Sequence, residues 1–230
     1  MINDSLLVIV LAQAVLYGTP LLYAALGELL AERSGVLNLG VEGMMLVGAV
    51  AGFWAVQRTP GDARSLLAGV VVAVWLYLSR TRPGLNVRAV GESPASADAM
   101  GINVTAYRYA HTLAGGAFAG VAGATFTLAI TPQWVDGITG GAGWIAIALV
   151  IFAFWRPELC LVGAYFFGAL QALAPQLQAR EINLGPTVLW TSTLPYVMTI
   201  VVLVIVSASS ARRRLGAPAA LGAPYVREER

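Results

Sequence analysis

The stretch Leu6-Leu-Val-Ile-Val-Leu-Ala-Gln-Ala-Val-Leu-Tyr-Gly-Thr-Pro-Leu-Leu-Tyr-Ala-Ala-Leu-Gly27 contains no charged residue. A helix needs about 20 apolar residues to cross a bilayer, and this run supplies them. Its apolar residues are continuous rather than alternating. It therefore reads as a helix and not as a barrel strand, the only other element that satisfies its backbone in lipid. Working outward, 34–57 carries only Glu42, and 65–79, 109–135, 137–155, 159–179 and 182–211 carry no charge. Charged residues make up 11% of the 230-residue chain and hydrophobic ones 58%. An average soluble domain is about 25% charged. So few charges could not cover a soluble surface, which excludes a soluble enzyme.

These runs predict an all-α, polytopic transmembrane bundle of about seven spans, near 6–29, 36–56, 64–79, 107–130, 142–155, 158–175 and 188–208. A transmembrane domain then covers 1–211, interrupted by a polar loop at 80–106, and 212–230 form a tail. Arginine placement orients the bundle, because cytoplasmic loops carry the basic excess. The loop holds Arg80, Arg82, Arg88 and Arg108, and the tail holds Arg212, Arg213, Arg214, Arg227 and Arg230. Both are expected in the cytoplasm, with Arg33 and Arg156. The N-terminus and Arg180 are expected outside. Small residues recur four apart at Gly48/Gly52, Gly116/Gly120, Ala119/Gly123 and Ala164/Gly168. That spacing lets helix backbones approach closely where lipid gives no hydrophobic drive.

Three segments stand out. In Val36-Leu-Asn-Leu-Gly-Val-Glu-Gly43, Asn38 and Glu42 are four apart and would share a helix face. An intramembrane carboxylate marks either a substrate path or a paired charge, with Arg33 the available partner. Gly35, Gly40 and Gly43 would allow an interrupted helix, as in transporters whose backbone lines a cavity. In the polar loop, Ser93 suits an N-cap, Pro94 a first turn and Gly101 the residue past a C-terminus. This predicts a short helix near 94–100, either a docking knob for a soluble partner or a segment lying on the membrane surface. In Ile138-Thr-Gly-Gly-Ala-Gly-Trp144 the glycines allow a tight or re-entrant turn. No Lys-Ser/Thr pair follows, so this is no phosphate loop. Trp134, Trp144 and Trp155 read as interface anchors. Cys160 and the single histidine, His111, lie in apolar runs and read as packing residues. No catalytic or metal-binding set is present in the sequence pattern. Asn103-Val-Thr105 matches a glycosylation sequon on the side expected to be cytoplasmic.

Several of these segments together resemble a known family. Thr19-Pro-Leu-Leu-Tyr23, Gly27-Glu28, Glu32-Arg-Ser-Gly-Val-Leu-Asn-Leu-Gly40 and Val41-Glu-Gly-Met-Met45 are similar to the opening of bacterial ABC-importer permeases of the nucleoside and simple-sugar type. These group with ribose and branched-chain amino-acid permeases and have a type II importer fold. Arg80-Thr-Arg-Pro-Gly-Leu85, Ala89-Val-Gly-Glu-Ser-Pro94 and Ala97-Asp-Ala-Met-Gly-Ile-Asn103 resemble the family's coupling loop. Gly143-Trp-Ile-Ala-Ile-Ala-Leu149, Leu194-Pro-Tyr196 and Pro218-Ala-Ala-Leu-Gly-Ala-Pro-Tyr225 are similar too.

The resemblance implies a permease subunit in the bacterial inner membrane that pairs with a second permease. Two cytoplasmic ATP-binding subunits and an extracytoplasmic substrate-binding protein would complete the importer. ATP would bind the partner, so the chain itself needs no cofactor, metal or nucleic acid. Arg88, Gly91, Glu92, Pro94, Ala97, Asp98 and Gly101 would carry ATPase coupling, and Asn38 and Glu42 the substrate path. A branched-chain amino-acid permease, and a non-transporting scaffold or intramembrane enzyme, are the alternatives. Family members have about 300 residues, above typical single-domain size. About two helices are missing between the second span and Arg80, which would remove part of the translocation wall and leave reduced or no activity.

Overall fold

The structure is a computed structural model that describes residues 6–56, 67–131, 133–181, 193–201, 204 and 216–226. Residues 57–66, 182–192 and most of the end of the expected seventh span lie outside the described residues. All regular structure among the described residues is helical. The elements are α1 (Leu6–Arg33), α2 (Val41–Val56), α3 (Leu67–Arg80), α4 (Arg82–Glu92), α5 (Pro94–Ala99), α6 (Val104–Thr125), α7 (Ala142–Phe152) and α8 (Pro157–Ala179). A π-helical turn, Phe126–Ile130, extends α6, and 193–201 are helical.

Among the described residues, three helices are long and apolar enough to cross a membrane by themselves: Leu6–Arg33, Val104–Ile130 and Pro157–Ala179. The apolar α2 and α7 are shorter. The second span begins at Val41, later than expected, because 34–40 are not helical. The polar loop also holds α4, a helix the sequence reading passed over. Pro83 sits in its first turn, and the Thr81 hydroxyl caps the helix by accepting from the Gly84 amide at 3.1 Å.

α1 is the axis of the bundle, buried from Thr19 to Glu32. It runs antiparallel to α6 and α8 through glycine contacts. A Cβ on Gly27 would lie 2.5 Å from the Gly115 carbonyl, and one on Gly18 2.7 Å from the Ala164 carbonyl. α2 lies parallel to α6: Met44 sits on Gly116, Gly48 on Gly120 and Gly52 on Ala124. All four small-residue pairs seen in the sequence thus fall in helix interfaces, where missing side chains let backbones touch. One end of the bundle gathers Arg33, Arg88, Arg108, Arg156 and the segment 216–226.

Candidate functional site: a broken helix, a half-helix and a knot at the arginine-rich end

The chain leaves α1 at Arg33 and becomes helical again only at Val41. In between it climbs into the bundle. Met44 packs on Gly116, which lies about 18 Å along α6 from Val104 at 1.5 Å per residue. α2 therefore starts about 14 Å along α6 from Val104, inside the bundle rather than at its end. α7 reaches the same level from another direction. Its 11 residues span about 16 Å, and the turn after it returns to the arginine-rich end. There the Trp155 indole Nε1 donates to Glu32 Oε2 at 2.5 Å, and the Arg33 guanidinium donates to the Trp155 carbonyl at 2.6 and 3.1 Å. Phe154 and Trp155 both have positive φ, 50° and 54°, a costly conformation for bulky residues that these bonds hold in place. Trp155 is buried, not the interface anchor its position suggested.

Two helix N-termini thus meet inside the bundle, and Glu42 joins them. Its Oε1 accepts from the Thr139 hydroxyl at 2.5 Å and the Gly141 amide at 3.1 Å, and its Oε2 from the Gly143 amide at 2.7 Å. An anion is stabilised at the start of a helix by free amides and the helix dipole. Glu42 sits in the first turn of α2 and caps α7. Arg33 is not its partner, since that guanidinium bonds Trp155 and the Gly216 carbonyl. A Cβ on Gly143 would lie 2.6 Å from the Glu42 amide, so only glycine lets the half-helix approach. The Tyr196 hydroxyl donates to the Gly140 carbonyl and closes the loop from the last helix.

Asn38 does not share a helix face with Glu42, because its stretch is unwound. Its amide donates to Glu28 Oε1 at 3.3 Å, and its Oδ1 accepts from the Gly40 amide at 3.1 Å. Glu28 and Glu32 lie one helical turn apart on α1 and are completely buried. The sequence placed them in a family-like segment and gave neither a role of its own. Their four-residue spacing beside an apolar run was the available signal.

Irregular backbone at this depth is tolerated only against protein or a water-filled cavity. Yet Leu37, Leu39, Gly40 and Gly43 are exposed on this chain, and Trp144 beside them is 56% exposed. His111 is buried in α6, stacked on Tyr107, with Tyr77 Oη 2.9 Å from its Nε2. Cys160 is buried and free.

At the arginine-rich end, α4 and α5 form a knot. Ser93 ends α4 and caps α5, accepting from the Ser96 amide at 3.4 Å. Val90, Ala97 and Val104 make its small core. Ala97 and Gly91 therefore point inward, and a Cβ on Gly91 would strike the Arg33 carbonyl. Arg88, Glu92, Ala95, Ser96, Ala99, Met100 and Gly101 are exposed, and Pro94 is half-buried. Asp98 accepts from the Tyr225 hydroxyl at 2.9 Å. The sequon residue Asn103 caps α6 through the Ala106 amide.

The model of the family described as "Branched-chain amino acid transport system / permease component" matches residues 10–74 and 61–203. The chain belongs to this permease family. A putative glucose ABC transporter permease of Haloferax volcanii is 34% identical over 314 aligned positions, covering 91% of this permease and 95% of the relative. A nucleoside ABC transporter permease of Lactococcus lactis and a guanosine ABC transporter permease of Bacillus subtilis are each 26% identical. They cover 96% and 98% of the chain and 98% of themselves. No solved structure matches. The family is one of transport proteins, not enzymes. The 314 positions exceed the permease's 230 residues, so at least 84 positions (314 less 230) of the glucose relative have no counterpart. The two family matches overlap at 61–74, which places the junction of the shortened region just before and within α3.

Proposed function

We propose that this permease forms the transmembrane path of an ABC importer for a nucleoside or sugar-like solute. The path runs along the exposed face of the 34–43 break, Trp144 and the 137–141 loop. The observation that carries the reading is unwound, exposed backbone beside two helix N-termini inside an apolar bundle, which lipid alone would not tolerate. A second permease subunit closes the path from the opposite side. Cytoplasmic ATP-binding subunits bind ATP and engage the exposed surface of α5, within 91–103, and an extracytoplasmic protein delivers solute. About seven spans, with α2 and α7 as partial ones, thread the cell membrane. The arginine-rich end faces the cytoplasm. The nucleoside, guanosine and glucose permeases among the relatives support the solute class, and an exposed Trp144 suits a ring-bearing solute through stacking or apolar contact.

Thiol labelling in membranes tests this. Leu39→Cys should react with a charged, water-soluble maleimide, and solute with its binding protein should slow the reaction. Val162→Cys, exposed on regular α8 helix, should not react. Labelling of 162 but not 39 would overturn the path.

A further inference from the structure

The segment 216–226 makes no regular element, yet it bonds every piece of the knot. The Ala220 amide donates to the Gly91 carbonyl at 2.9 Å, and the Gly222 amide to the Gly35 carbonyl at 3.0 Å. The Ala219 amide donates to Glu92 Oε2 at 3.3 Å. The Gly216 carbonyl accepts from Arg33 at 3.2 Å, and the Ala223 carbonyl from Arg108 at 3.0 Å. The Tyr225 hydroxyl donates to Asp98 Oδ2 at 2.9 Å, while its ring packs on the Val90–Ala97–Val104 cluster. Ala217 and Leu221 pack against the main core.

We propose that residues 216–226 are a strap that ties the coupling helix α5 to the end of α1, with Tyr225 as its positioning residue. The proposal rests on the importer reading above. α5 has six residues and a core of three side chains, too little to transmit force by packing alone. The strap supplies the link. Tyr225 holds α5 through Asp98, Ala219 and Ala220 hold the end of α4, and Gly216 and Gly222 hold Arg33 and Gly35, where the α1–α2 break begins. A displacement of α5 by an ATPase is thereby delivered to the base of the unwound segment. Without the strap, α5 moves and the break does not.

The test uses the assembled importer in vesicles and reads solute taken up per ATP hydrolysed. Tyr225→Phe removes one hydrogen bond and keeps the ring. It should leave assembly and ATP hydrolysis in place and lower the ratio about fivefold, and a stop after residue 215 should lower it at least about tenfold, within the usual range of coupling between sites. A stop after Val226 keeps every bond named here and should match the wild type. A merely structural strap would lower assembly or melting temperature and leave the ratio of assembled complexes unchanged, which overturns the proposal. So does a wild-type ratio in Tyr225→Phe, which decides the matter if the longer truncation fails to assemble. A wild-type complex that binds no ATPase or takes up no solute would instead overturn the importer reading itself.

Discussion

Replacing Glu42 tests whether its carboxylate builds the site or touches the solute. Its hydrogen bonds go to the chain's own loop, through Thr139, Gly141 and Gly143. Glu42→Gln keeps one carbonyl oxygen, enough for Thr139 and Gly141. It turns an NH₂ group toward the Gly143 amide, so two donors face each other. A buried donor without an acceptor costs about 1–3 kcal/mol. Losing the anion at two helix starts adds about 0.3–1 kcal/mol at each. The sum is about 1.6–5 kcal/mol, and Glu42→Ala, which strands three donors, costs more than Glu42→Gln. At about 2–4 °C for each kcal/mol in a chain of this length, the scale for soluble domains, the Gln variant should melt about 3–20 °C lower in detergent. Size-exclusion chromatography after heating reads this. A Gln variant with the wild-type melting temperature but no solute uptake would refute the reasoning and make Glu42 a solute contact.

Other substitutions separate the remaining contacts. Gly48→Ala should cost about 1–3 kcal/mol by overpacking, because its Cβ would strike the Gly120 backbone, whereas Gly43→Ala, with open space around it, should be neutral in the same melting assay. Trp155→Phe takes the donor from buried Glu32 and should cost about 2 kcal/mol, again read by melting. Trp144→Ala should lower uptake with unchanged melting, and Trp144→Phe should restore part of it. Unchanged uptake in Trp144→Ala would remove that side chain from the path. Met100→Arg, at an exposed position on the knot, should weaken ATPase co-purification and spare the permease fold. Ala97→Arg should instead destabilise the knot, because Ala97 is buried.

Apolar run length and small-residue spacing were enough to read a helical membrane bundle and the helix faces that touch. These features depend on local chemistry: water excludes the runs, and a glycine permits close approach wherever it lies on a face. The Ser93 cap of α5 was legible for the same reason. Tertiary structure alone decided the depth at which α2 restarts, the capture of Glu42 by a loop about a hundred residues away, the inward turn of Ala97 and Gly91, and the burial of Trp155 and Glu32. Hydropathy cannot tell lipid from protein interior, since both are apolar. It reports that a residue avoids water, and only the packed neighbours say which partner a buried carboxylate or indole finds.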